Sequence, residues 1–220
     1  MNQIQIQAGL SLPAFLKQFV TETQCETALE GDRWPEGFRC PHCGEARHYV
    51  LRERGRKTFQ CQNCRMQTSL IAGTVFQSTH LALTLWFLAI YLISEAKTGL
   101  SALALKRHLG VSYPTAWLIQ HKLMQTMTER DAQYTLCGEV LVDDAYLGGE
   151  RVGGKAGRGS ENKVPFVAAV SLNAEEHPLY TKMIPVPGFT CAALTDWAKA
   201  ALAPGSLVRS DGLACFTGVT

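Results

Sequence analysis

The chain contains no internal repeat, no apolar leader behind a basic start, and no hydrophobic run long enough to cross a bilayer. The apolar run that has to be weighed, Leu81 to Ile93, is thirteen residues long and carries Thr84. A spanning helix needs about twenty apolar residues, so this stretch predicts a buried helix instead. Met1 to Gly9 is polar and Gln-rich, which does not fit a secretory leader. Four of the eight cysteines (Cys25, Cys137, Cys191, Cys215) are scattered without pairing rhythm, against a disulfide scaffold and in keeping with a reducing compartment. The expectation is a soluble, cytoplasmic protein with no membrane partner. At 220 residues and 46% hydrophobic content there is material for one ordinary domain plus small modules.

Net charge is only +2, but it is unevenly spread. Gly31 to Arg130 holds thirteen Lys/Arg against six Asp/Glu, whereas Asp131 to Thr220 holds seven against ten. A basic front followed by an acidic back suggests a phosphate-gripping part joined to one that uses carboxylates.

The other four cysteines form two CxxC pairs, Cys40-Pro41-His42-Cys43 and Cys61-Gln62-Asn63-Cys64, with seventeen residues between them. Each pair can present two thiolates from a tight turn, and the separation leaves room for one β-hairpin. The pattern predicts a structural zinc site of four cysteines. A redox CxxC or a disulfide is the alternative, but a redox motif comes as a single copy within a βαβ pattern. The intervening hairpin, Tyr49 to Gln60, carries Arg52, Arg54, Arg56 and Lys57, with Gly55 at its turn. These four are expected to contact phosphates.

Before the ribbon, Leu12 to Leu29 reads as one or two short helices with Leu12, Phe15, Phe19 and Cys25 on an apolar stripe. After it come the helix Leu81 to Ala96 and a second from Ser101, a serine cap, to Leu109. Gly110-Val111-Ser112 then turns into a third helix from Tyr113 to about Thr128, with Pro114 in its first turn. Ala116, Ile119 and Leu123 should face Leu105 and the apolar helix. The pattern predicts a helix-turn-helix with Ser112, Tyr113 and Thr115 towards bases and Lys122 towards phosphate. A plain three-helix bundle has much the same periodicity.

From Glu139 the texture is β. Strands are expected at Glu139–Tyr146, Val164–Leu172, about Leu179–Pro185 and Leu207–Ser210, with a helix over Thr190–Leu202. Three antiparallel strands, a helix and a parallel strand describe the front of an RNase H-like fold. Gly148 to Lys163 holds six glycines with Arg151, Lys155, Arg158 and Lys163. It is expected to be a loop in which Lys155 and Arg158 close on a phosphate backbone. Asp143 interrupts the apolar strand Val140-Leu141-Val142, and Asp211 closes the last strand. If those strands are neighbours, the two carboxylates can share Mg²⁺ or Mn²⁺. Only one of Asp143 and Asp144 should point into that site, because successive strand residues face opposite ways.

The chain resembles the zinc-ribbon DDE transposases of bacterial insertion sequences, the ISXO-like group. The resemblance runs through Arg33-Trp34-Pro35-Glu36-Gly37-Phe38-Arg39-Cys40-Pro41-His42-Cys43-Gly44, Cys61-Gln62-Asn63-Cys64, Trp86 and Ala89-Ile90-Tyr91-Leu92-Ile93. It continues in Gly99-Leu100-Ser101-Ala102, Leu109-Gly110-Val111-Ser112-Tyr113-Pro114-Thr115-Ala116-Trp117, Val142-Asp143-Asp144-Ala145-Tyr146-Leu147-Gly148-Gly149 and Ser210-Asp211-Gly212. It implies a multidomain α+β protein: an N-terminal helical segment (1–32), a zinc ribbon (33–72), a DNA-binding helix-turn-helix (78–130) and an incomplete RNase H-like mixed-sheet catalytic domain (137–220).

By the same resemblance, Asp143 and Asp211 are the first and second catalytic acids. Zinc in the ribbon is structural and Mg²⁺ or Mn²⁺ catalytic. The partner is double-stranded DNA, at element ends and targets, and a homo-oligomer is expected in the DNA complex. Asp144 stands where the family usually has Glu, and Ala145 where Thr is common. The family's third metal ligand, Glu or Asn, lies on a helix well beyond the second aspartate. Nine residues follow Asp211 here, none of them acidic. The expectation is therefore a shortened transposase with impaired catalysis; the alternative is a DNA-binding fragment that regulates the full-length enzyme.

Overall fold

The computed structural model describes residues 10–53, 55–96, 98–148 and 162–219. They fall in two compact units, 9–127 and 128–220.

In the first unit, Ser11 caps helix α1 (Leu12–Phe19) through the amide of Ala14. A capping box of Thr21 and Gln24 starts α2 (Glu22–Arg33). Each such cap contributes about 1 kcal/mol. The expected apolar stripe is narrower than the sequence implies. Phe15 stacks on Tyr91 at 4.6 Å and Cys25 is fully buried, but Leu12 is 49% exposed. The hairpin is β1 (His48–Glu53) with β2 (Arg56–Cys61), paired antiparallel, and a third strand, β3 (Gln67–Ser69), joins β2.

Then follow α3 (Leu83–Glu95), α4 (Ala102–Leu109) and α5 (Tyr113–Asp131). Ser101 caps α4, and Ser112 caps α5 through the amide of Thr115. Buried Phe38 and Phe59 stack at 4.9 Å, with Trp34 edge-on to both. Together with Trp86, Leu105, Ala116, Ile119 and Leu123 they belong to one continuous core.

Glutamates on one face of α2 tie this unit together. Glu22, Glu26 and Glu30 recur every fourth residue, so they line one side of the helix. Glu22 accepts from the amides of Leu83 and Thr84, capping α3, which has no side-chain cap of its own. Glu26, 5% exposed, takes both terminal nitrogens of Arg52, at 2.6 and 3.1 Å. Glu30 pairs with Lys57.

The second unit is a mixed four-stranded sheet in the order β6-β5-β4-β7. Its strands are β4 (Glu139–Leu147), β5 (Val164–Leu172), β6 (Pro178–Pro185) and β7 (Leu207–Ser210). β4–β5 and β5–β6 are antiparallel, while β7 runs parallel to β4. Between β6 and β7 lies α6 (Cys191–Ala201), capped by Thr190. Strand alternation puts Val140, Val142, Val167 and Ala169 on the face that meets Leu194, Trp197 and Ala201 of α6. A 3-10 turn, Ala214–Gly218, adds Cys215 and Phe216 to that core. The opposite face exposes Leu141, Met183 and Leu207.

At the base of the β4–β5 connection, Gly148 has φ +138°, and a Cβ there would sit 2.2 Å from the carbonyl oxygen of Asn162. Only glycine fits so close a backbone approach. The basic loop beyond it, with Lys155 and Arg158, lies outside the described residues, as does Arg54. No helix among the described residues is long and apolar enough to cross a membrane.

Candidate metal centres

Among the described residues, two side-chain clusters have ligand atoms mutually within 4.8 Å: Cys40, Cys43, Cys61 and Cys64 in the first unit, and Asp143, Asp144 and Asp211 in the second.

The cysteines sit on two knuckles of matching geometry. Gly44 donates its amide to Cys40 and Arg65 donates its amide to Cys61, while Cys40 and Cys61 donate to the carbonyls of Glu45 and Met66. Three inter-knuckle sulfur pairs (Cys40–Cys64, Cys43–Cys61, Cys43–Cys64) stand 3.5 Å apart. A disulfide would bring sulfurs to about 2.05 Å. Tetrahedral zinc with Zn–S near 2.3 Å holds them at about 3.8 Å. The observed spacing fits the metal and excludes the disulfide.

The amide of Glu45 holds the Cys43 thiol below its ordinary value. On Cys64 the amide of Met66 pulls the same way, but burial and the neighbouring thiols outweigh it and push that thiol up to about 12. The four sulfurs converge as the donor set of a structural zinc site requires.

The carboxylates are brought together by strand register. Val142 of β4 lies beside Ser210 of β7 in the last rung of the parallel ladder, so the next residues, Asp143 in mid-β4 and Asp211 just past β7, emerge side by side. Backbone amides orient both: Asp144 donates to Oδ1 of Asp143 at 2.9 Å, and Leu213 donates to Oδ1 of Asp211 at 3.1 Å. An open hollow lined by Leu141, Asp143, Leu172, Glu176, Arg209 and Asp211 adjoins them. Arg209 pairs with Glu139 and, at 3.6 Å, with Glu176. Hydrogen bonding to Glu139 raises its pKa further.

Asp143 and Asp211 are exposed and Asp144 is half-buried. Accessible oxygens at this spacing fit a hydrated Mg²⁺, which takes one or two carboxylates and keeps several waters. The expectation that only one of Asp143 and Asp144 could reach this place is corrected. Asp211 lies one residue past the β4–β7 ladder, where β7 has stopped beside mid-β4 and oxygens from both faces of β4 come within reach.

The residues expected to contact DNA are differently placed. Arg52 and Lys57 are held by Glu26 and Glu30, and Arg56 donates to the carbonyl of Thr79. Lys122 donates to the carbonyls of Val75 and Gln77 at 3.4 and 3.3 Å. The hydroxyls of Ser112 and Thr115 bond each other at 2.8 Å, and Tyr113 beside them is 47% exposed. Sequence reasoning missed the acceptors of the hairpin cations, although glutamates at every fourth position of α2 were a readable signal.

Residues 20–67 match the transposase zinc-ribbon domain and residues 135–220 match the ISXO2-like transposase domain. An uncharacterized protein in transposable element ISH50 of Halobacterium salinarum is 29% identical over 185 residues, covering 76% of this chain. The matched region is 61% of that relative's length, so the chain spans under two thirds of it. No solved structure matches. With both domain matches in order and a relative from a transposable element, the chain is similar to the zinc-ribbon, ISXO2-like transposases of insertion sequences.

Proposed function

We propose that the chain binds the duplex ends of its insertion element and catalyses metal-dependent cleavage and transfer of DNA strands. The observation that carries this reading is the convergence of Asp143, Asp144 and Asp211 where β7 ends beside the middle of β4. A strand order in which a helix crossover returns β7 beside β4 supports an RNase H-like catalytic domain. Two helices, α4 and α5, joined across Gly110–Ser112 support a helix-turn-helix that offers Tyr113 and Thr115 to the major groove.

Divalent cations, when bound, would activate water and stabilise a leaving 3′ oxygen. Asp143 and Asp211 would hold them, each carboxylate kept in place through Oδ1 by a main-chain amide. The exposure of Asp143 and Asp211 lets a phosphodiester approach both acids from solvent. In the first reaction water adds to phosphorus and the P–O3′ bond breaks, leaving a 3′-OH and a 5′-phosphate. In the second, that 3′-OH attacks a target phosphodiester and displaces another 3′-OH, so no oxidant or external energy source is needed.

The test is incubation of labelled element-end duplex with Mg²⁺ or Mn²⁺. Nicking is expected, with Asp143→Asn and Asp211→Asn each abolishing it while retaining DNA binding. Duplex binding without nicking by the unaltered chain would favour a DNA-holding role, and nicking that survives Asp143→Asn would overturn the assignment.

A further inference from the structure

The ribbon's cations divide into two groups. Arg33, Arg47, Arg52, Arg56 and Lys57 are all engaged by carbonyls or glutamates of the chain itself. Arg39 and Arg65, beside the first and second zinc knuckles, are exposed, and among the described residues neither guanidinium has a hydrogen-bond or ion-pair partner. Of the two, Arg65 has the unusual backbone, with φ +63°. The position matches Gly44 of the first knuckle, which has φ +74° and makes the same amide bond back to the cysteine four residues earlier. Left-handed backbone disfavours any residue carrying a Cβ, so glycine is the residue that fits this turn without strain. An arginine held there, unpaired, is a departure from local preference of the kind that accompanies function. Beside it lies a hollow lined by exposed His42, Met66 and Gln67 together with Cys64.

We infer that the zinc-knuckle end of the ribbon, through Arg65, grips the phosphate backbone of duplex DNA. This rests on the proposed function, since it assumes that the chain binds DNA. Arg52 and Lys57 tie the hairpin to α2, and Arg65, like Arg39, is left to meet the ligand. A guanidinium presents a planar fork of donors that suits phosphate oxygens. Its contact carries no sequence information, so element-end and unrelated duplexes are held equally at this point.

The experiment uses the full zinc-loaded chain and measures its affinity for an element-end duplex and a scrambled duplex across a salt series. Arg65→Gly is expected to keep one zinc per chain and a thermal midpoint no lower than the unaltered protein. It should weaken both duplexes by about eightfold near 0.1 M salt and reduce the slope of log affinity against log salt by about one. Arg65→Lys, which keeps the charge, should stay within about twofold. Unchanged affinity and slope in Arg65→Gly would overturn the inference, and so would a loss confined to the element-end duplex. Failure of the unaltered protein to bind either duplex would instead remove the proposed function, and this inference with it.

Discussion

Glu26 shows how a single residue can redirect the reading of a charged segment. Four basic residues on a hairpin read from sequence as a nucleic-acid grip, but the buried carboxylate of Glu26 claims Arg52 with both oxygens. Their charge was legible; the pairing of Arg52 and Lys57 with Glu26 and Glu30 was signalled only by the spacing of the glutamates on another element. Replacing Glu26 by Gln removes the charge and one of its two acceptor oxygens, and turns an amide NH2 towards the Arg52 guanidinium in a buried place. Because Arg52 is half exposed, Glu26→Gln should cost about 1–3 kcal/mol, measured as a lower urea midpoint with an unchanged slope. Asp144 carries a second lesson. Strict strand alternation assigns it to the far face, but β7 stops one rung earlier, and beside that open edge of β4 its carboxylate comes within reach of Asp211. Tyr134 offers a test by pH. Burial, and then its hydrogen bond to Asp131, pushes its hydroxyl up to about 12, against about 10 when unfolded. The folded state thus prefers the protonated phenol. Its contribution is complete below about pH 10 and is lost as pH rises through about 12. Stability of the unaltered chain should fall more steeply over that range than stability of Tyr134→Phe.

Among the elements, regular ones were legible and short ones were not. Val164–Leu172 and Leu207–Ser210 have the bounds their composition suggests, because apolar β-branched runs ended by turn residues leave little choice. The three-residue β3 and the 3-10 turn Ala214–Gly218 are too short to carry a periodic signal. α5 runs from Tyr113 to Asp131, three residues past the expected end near Thr128, where no glycine or proline stops it. On this helix Ile119 is 1% exposed, and Ile119→Ala should cost about 2–5 kcal/mol by chemical denaturation. The ribbon is the most readable element, since cysteine spacing alone places both knuckles. Cys61 is fully buried between them. Cys61→Ser should lose the single zinc per chain found by metal analysis, and chelation of the unaltered protein should lower its thermal midpoint. A folded ribbon without metal would contradict this.

For the molecule as a whole, the two units correspond to the two halves of the charge distribution, basic through residue 130 and acidic beyond it. Sequence pattern could suggest that β4 and β7 are neighbours only through the helix between β6 and β7, since a parallel partner needs a crossover. What it could not supply was register, and register decides whether Asp143 and Asp211 meet. The account stands on their sharing one cation. Replacing that cation with Fe²⁺ and adding ascorbate and peroxide generates hydroxyl radicals at the metal, which cut nearby main chain. The account predicts paired cuts near residues 143 and 211, both lost in Asp143→Asn and both lost in Asp211→Asn. A cut near 143 that persists in Asp211→Asn, or cleavage at neither place, would contradict it.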